Sequence, residues 1–118
     1  MSDKKIIQKI YEKMEDKRIL ILDDNYSWEG ELDLYPEILF VIKQRDNKDW
    51  SIKAVKTEGF KNKLDFPEDW AGKNGEELAK ITGIPDVIFC HNGRFLCIAK
   101  SKEGAITLAK KAIELGHN

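Results

Sequence analysis

The side chains best suited to bind a ligand are those of His91 and Arg94, which flank the dipeptide Asn92-Gly93. An imidazole beside a guanidinium can grip an anion, such as a phosphate group, through charge-assisted hydrogen bonds. We take these two residues as candidate ligand-binding residues and add Lys100 and Trp70 to the same set. Polar residues beside a turn are also commonly no more than solvent-exposed, and that alternative stays open.

The sequence carries none of the common catalytic motifs. Phosphate-binding and dinucleotide-binding glycine loops, the zinc-protease helix and the nucleophile elbow are all missing from it. Enzymes of hydrolysis and group transfer usually combine a nucleophile, a base and an orienting group. The second histidine, His117, lies in a tail that we expect to be frayed. We therefore predict no independent enzyme, no catalytic residue, no metal ligand and no cofactor.

Two charged segments could bind ligands, but structural roles are favoured for both. The acidic segment 24–37 lacks the spacing and the glycine of a calcium loop, and no histidine lies nearby. We interpret it as a solvated loop. A basic run could follow a phosphate backbone. Because Phe60 is its one interleaved aromatic, a solvated strand edge is the favoured interpretation. The run consists of Lys53, Lys56, Lys61 and Lys63.

The candidate residues must be positioned by a hairpin over residues 84–99. Asn92-Gly93 favours a two-residue type I′ turn, because both residues tolerate a positive φ. That turn makes His91 the partner of Arg94. It also makes Cys90 and Cys97 diagonal neighbours, about 7–8 Å apart and beyond the usual reach of a disulfide. We expect two buried thiols.

The remaining pattern predicts the fold. Apolar periodicity indicates helices over residues 4–15, 75–82 and 102–115, a strand over 18–23, and a hairpin of strands 38–43 and 50–56. Short turns join consecutive strands as hairpins, whereas a parallel sheet would need long crossover connections between them. We predict a two-layer α+β fold, with a mainly antiparallel sheet of about five strands built from two β-hairpins. The N-terminal, middle and C-terminal helices pack on this sheet. The length predicts a single domain, residues 1–118.

Composition limits the classes of partner. Twenty basic residues against 21 acidic ones give a net charge of −1, so no overall field favours nucleic acid or a membrane. The sequence has no apolar run long enough for a membrane helix and no secretory leader. We expect a soluble, cytoplasmic protein.

An ordered set of residues matches a known family in identity and spacing. The set consists of Trp50, Ala54-Val55, Phe60, Pro67 to Trp70, Gly72, Glu76 to Leu78, Gly83 to Pro85, Ile88 to His91, Phe95, Lys102 to Ala105, Ala109 and Ala112. About two-thirds of the chain thereby resembles the C-terminal part of the melanocyte-proliferating-gene exonuclease family, a DHH-like family of metal-dependent phosphoesterases. The metal-binding half of that family has no counterpart here. Its paired glycines are replaced by Cys97 and Ile98, whose side chains would block close approach of a ligand.

The resemblance implies a non-catalytic, stand-alone relative of that domain. Such a module would bind a protein partner, a second copy of itself, or a phosphate-bearing ligand or nucleic acid near His91, Arg94 and Lys100. One alternative is a metal-dependent phosphoesterase or RNA exonuclease subunit that a separate catalytic chain completes. Another alternative is a homodimerisation module that uses an exposed sheet edge.

Overall fold

A computed structural model describes residues 3–24, 26, 28, 30–57, 59 and 61–116. The elements follow in the order α1 (Asp3–Lys13), β1 (Ile19–Leu22), β2 (Phe40–Gln44), β3 (Trp50–Ala54), α2 (Gly75–Thr82), β4 (Val87–Cys90), β5 (Leu96–Ala99) and α3 (Lys102–Gly116). Short 3-10 helices lie at Leu32–Leu34 and Glu68–Trp70. The sequence predicted each of the α-helices and strands, with small differences at their ends.

The five strands form one sheet in the order β1-β2-β3-β5-β4. The pairs β2–β3, β3–β5 and β4–β5 are antiparallel, and β1 runs parallel to β2. The predicted α+β class and mainly antiparallel five-stranded sheet are therefore confirmed. Pairing of β3 with β5 joins the two hairpins, so the end of the second hairpin lies beside the segment that follows β3.

The sheet has a core on each face, because side chains alternate along a strand. The larger core lies beneath α3, whose Ala105, Leu108 and Ala109 are all buried against the sheet. The smaller core lies on the opposite face, where Ile7 of α1 packs with Leu20 of β1 and their neighbours. Helices thus cover both faces of the sheet at β1 and β2, which makes three layers there where two were predicted.

The start of α3 is closed by a side-chain network. Ser101 accepts the N–H of Gly104 at 3.0 Å, as an N-cap residue does, and its hydroxyl donates to the carboxylate of Asp86. A Cβ added at Gly104 would lie 2.4 Å from both carboxylate oxygens of Asp86. A glycine at position 104 therefore lets the carboxylate reach the helix end.

The β4–β5 hairpin has a different register from the predicted one. The C=O of His91 accepts the N–H of Arg94 at 2.9 Å, and Arg94, rather than a residue of Asn92-Gly93, has a positive φ of 60°. Cys90 consequently lies directly opposite Cys97. The predicted I′ turn and the diagonal cysteine pairing are wrong. The local preference of Asn-Gly is overridden, because Arg94 exchanges hydrogen bonds with Phe66 in a distant segment. Both thiols are free and buried.

The two outer edges of the sheet differ. Along β4, the N–H of Gly72 donates to Cys90 C=O at 2.9 Å, and Cys90 N–H donates to Lys73 C=O at 3.0 Å. Asn74 continues this pairing with a bridge to Phe89. Along β1, within the described part of the chain, no segment pairs with the outer side of the strand. One edge is thus covered by the chain itself, and the other has no covering strand among the described residues.

Candidate functional site

The turn at the end of the β4–β5 hairpin fixes the ring of His91. Its Nδ1 accepts the N–H of Gly93 at 2.8 Å, and its ring centroid lies 4.6 Å from that of Phe95. Because Nδ1 is an acceptor, the neutral ring carries its proton on Nε2. The residue is exposed. His91 can therefore donate a hydrogen bond from Nε2 to a ligand.

Arg94 is positioned by the loop that precedes α2. Its Nε donates to Phe66 C=O at 2.7 Å, and its Nη1 lies 3.9 Å from a carboxylate oxygen of Asp65. These contacts leave 34% of the side chain exposed. The guanidinium is thus held in one orientation beside a carboxylate, with part of its donor edge open to solvent.

Lys56, just beyond β3, joins the same surface. Its ammonium lies 4.8 Å from the ring centroid of Phe95, a cation–π distance, and donates to Asn62 Oδ1 at 2.5 Å. The amide of Asn62 donates in turn to Asp65 at 2.7 Å and to Arg94 C=O at 3.3 Å. We call this set the tip cluster. Its members are Lys56, Asn62, Asp65, His91, Arg94 and Phe95.

The structure unites only part of the predicted site. His91 and Arg94 belong to the tip cluster, whereas Lys100 follows the far end of β5, about 13 Å away along four strand residues. Trp70 is 1% exposed and lies in the larger core, with its ring centroid 5.9 Å from that of Phe66. Lys100 thus lies apart from the tip cluster, and the ring of Trp70 is buried and cannot contact a ligand bound there.

Sequence reasoning missed Lys56, Asn62 and Phe95 as members of the site. The basic run contained Lys56, but its aromatic neighbour comes from a hairpin far along the chain. The lysines of the basic run do not form one surface, since Lys63 donates to the C=O groups of Pro36 and Ile38. Phe60 lies outside the described residues, as does His117.

The two thiols lie close to each other beneath the tip cluster. Burial raises the pKa of Cys97 far above its ordinary value. A hydrogen bond from Cys97 lowers the pKa of Cys90. The residues that the structure describes include no group of three or more His, Cys, Asp or Glu that could hold a metal ion. No described helix is long and apolar enough to cross a membrane.

Comparison with known proteins decides the family. Residues 1–113 match the MYG1 exonuclease family model, described as an uncharacterised protein family (UPF0160). The chain belongs to the MYG1 family. This confirms the family that the sequence pattern indicated. The DHH-like relationship and the C-terminal placement stay predictions.

Individual MYG1 relatives match over different lengths. A MYG1 protein of Schizosaccharomyces pombe is 34% identical over 115 residues, which cover 90% of this chain and 35% of the relative. The MYG1 exonuclease of Homo sapiens is 35% identical over 78 residues, which cover 64% of this chain and 21% of the relative. A MYG1 protein of Chlamydia muridarum is 56% identical over 41 residues, covering 35% of this chain and 14% of the relative.

The chain thus spans about a third or less of the length of these relatives. No solved structure matches it.

Proposed function

We propose that this MYG1-family chain is a non-catalytic module that binds single-stranded nucleic acid through the tip cluster. The observation that carries the proposal is the placement of Lys56 over the ring of Phe95, 4.8 Å from its centroid, with His91 on the same ring at 4.6 Å. Two relatives, from rat and human, are named exonucleases, and an exonuclease acts on nucleic acid. Those names support the choice of ligand class.

The chemistry of the tip cluster suits a single strand. An unpaired base can stack on an aromatic ring whatever its identity, while adjacent cations attract the phosphate backbone. Phe95 is partly exposed, and Lys56 is exposed beside it. Arg94 supplies a second cation, and Asp65 holds its guanidinium in place. Lys56, Arg94 and Asp65 together carry a net charge of +1, whereas the chain as a whole carries −1.

The test is fluorescence anisotropy of labelled single-stranded RNA and DNA with the 118-residue chain at two salt concentrations. We expect Lys56→Gln to weaken binding and to reduce the slope of log K against log salt by about one, because one phosphate contact is lost. Phe95→Leu keeps an apolar side chain for packing but removes the ring, so we expect affinity to fall about tenfold with the salt slope unchanged. Lys80→Gln, on the exposed side of α2, is the matched control and leaves binding unchanged.

Two results would overturn the proposal. A chain that binds neither strand at low salt is not a nucleic-acid module. Equal loss of affinity in Lys56→Gln and Lys80→Gln would show nonspecific attraction rather than a site. Incubation of the same chain with RNA and Mn²⁺ tests the proposal that the chain is not catalytic. Cleavage that His91→Ala abolishes would instead establish the exonuclease-subunit alternative.

A further inference from the structure

The outer edge of β1 presents a defined set of backbone groups. Arg18 C=O accepts the N–H of Phe40 at 3.2 Å, so the alternation of the ladder directs Leu20 and Leu22 towards β2. The N–H and C=O groups of Ile19, Ile21 and the following Asp23 point the other way. Of these, Ile19 N–H donates to Asp16 C=O at 3.2 Å. The outward set is therefore Ile19 C=O, the N–H and C=O of Ile21, and the N–H and C=O of Asp23.

A groove of ≈ 570 Å³ runs along this edge. Ile19 and Ile21 of β1 line it, with apolar side chains of α1 and α3 on either side, including Met14 just after α1 and Ile106 of α3. A row of outward backbone donors and acceptors between apolar walls suits an extended chain, which pairs with the edge and buries its alternate side chains. The occupant must therefore supply a strand.

We infer that this occupant is a second copy of the chain, whose β1 pairs antiparallel with the first about a two-fold axis at Ile21. In this register Ile21 exchanges N–H and C=O bonds with the partner's Ile21. Ile19 C=O accepts the N–H of the partner's Asp23, and the reciprocal bond forms on the other side of the axis. Every group of the outward set except Asp23 C=O thereby gains a partner, and the interface is isologous, as in most dimers.

The charges along the groove favour a second copy over a strongly acidic or basic partner. The lining holds three cations and three anions, namely Lys13, Lys102, Lys110, Glu15, Asp16 and Asp23. These charges sum to zero, whereas a groove for a highly charged segment would carry one sign. A self-complementary interface requires that both signs be present and that they alternate between its ends.

The positions of these charges meet that requirement. The charge of Lys110 interacts with the carboxylate of Asp16, so Lys110 lies near the start of β1. Lys102 is eight residues earlier on α3, about 12 Å from Lys110 along the helix axis. Asp23 follows the end of β1. Antiparallel pairing sets the start of one strand against the end of the other. Lys102 then faces the partner's Glu15, which is the available anion, since Asp16 is already paired with Arg18 within its own chain.

Sedimentation velocity of the full chain over a concentration series tests the inference. We expect a monomer–dimer equilibrium. Ile21→Pro removes an outward N–H without removing a β1–β2 hydrogen bond, and two such donors are lost per dimer, so the dimer dissociation constant rises about tenfold. Circular dichroism checks that the variant is folded.

A charge exchange provides a second test that does not depend on the proline variant. Lys102→Glu sets like charges face to face at both ends of the interface, and we expect the dissociation constant to rise about three- to tenfold. Adding Glu15→Lys restores the attraction and the affinity. Lys80→Glu makes the same charge change on α2, outside the groove, and leaves dimerisation unchanged.

Three results would overturn the inference. These are a chain that stays monomeric at every concentration, a dimer that folded Ile21→Pro leaves intact, and a double variant as weak as Lys102→Glu alone. The outcome is independent of the proposed function. The tip cluster lies on the side of the sheet formed by β3, β5 and β4, so nucleic-acid binding can be measured separately on Ile21→Pro.

Discussion

The two edge strands of the sheet differ in whether another segment of the chain hydrogen-bonds to their outer side. At β4, residues 72–74 add backbone hydrogen bonds to the strand, and the adjoining Trp70 anchors that segment in the larger core. At β1, helices flank the strand, but the described chain adds no backbone pairing to its outer side. An unpaired edge is free to recruit another strand. The covered edge therefore serves stability, and the uncovered edge is available for association.

The comparison also explains where the free energy of folding is concentrated. The segment that covers β4 continues into the larger core, which takes in side chains from β1 to α3. The smaller core, next to the uncovered edge, is closed from above by α1, in which Ile7 is the one buried residue among those described. Removing a large side chain should thus cost more on the β4 side than on the β1 side.

The largest effect is expected for Trp70→Ala. Trp70 is 1% exposed and packs against Phe66, so its truncation should lower the free energy of unfolding by about 3–5 kcal/mol. Ile7→Ala removes fewer atoms and should cost about 2–3 kcal/mol. Urea unfolding measures both, with Leu34→Ala, at a position 61% exposed, as a near-neutral control. A greater loss for Ile7→Ala would reverse the proposed order of the two sides.

An intermediate effect is expected for Gly72→Ala. Gly72 has a φ of 72°, which costs an L-residue about 1–2 kcal/mol, and the new Cβ would lie 2.3 Å from Asn92 Oδ1. The segment that covers β4 should open more often, which amide exchange at Cys90 and its neighbours would report. The double variant with Asn92→Ala relieves the contact but not the φ. It should recover only part of the loss, and full recovery would contradict a backbone cost.

The smallest effect is expected for Asp16→Asn, at the turn that leads into β1. Hydrogen bonds from Arg18 hold the pKa of Asp16 below its ordinary value, despite an opposing effect of burial. A lowered folded-state pKa stabilises the protein above the unfolded pKa, and this contribution is lost as the pH falls through the folded one. Half of the Arg18 side chain is exposed, and solvent screens the pair, so we expect a loss below about 1 kcal/mol at neutral pH.

Thermal unfolding followed from pH 7 to acid would show this small difference. The parent chain and Asp16→Asn should converge as the pH falls, because a protonated Asp16 loses the charge that the variant already lacks. A gap between them that widens in acid would contradict the sign of the pKa shift.

Local chemistry predicted the elements better than their contacts. Helix α2 ends where expected because Gly83, with a φ of 76°, adopts the left-handed conformation that terminates helices. The register of the β4–β5 hairpin was not predictable in the same way. It depends on Phe66 N–H donating to Arg94 C=O at 3.0 Å, a contact between segments that no local preference reveals.

The candidate site shows the same division. The sequence was enough to select His91 and Arg94 as candidates, because polar residues beside a turn reach solvent whatever the register of the hairpin. Lys56 and Phe95 meet only because β3 pairs with β5, and strand order is not encoded in either segment alone. The burial of Trp70 likewise depends on a distant strand, because Trp70 stacks on Phe66, which in turn stacks on Phe40 of β2.

The closeness of Gly104 to Asp86 has an evolutionary consequence. A methyl group at position 104 and the carboxylate of Asp86 in its present position would occupy the same space, so a side chain at 104 requires the carboxylate to move or to be replaced. Homologous chains that carry alanine or a larger residue at 104 should therefore carry a shorter residue than aspartate at 86. An alignment deep enough to show covariation should rank this pair among its strongest couplings.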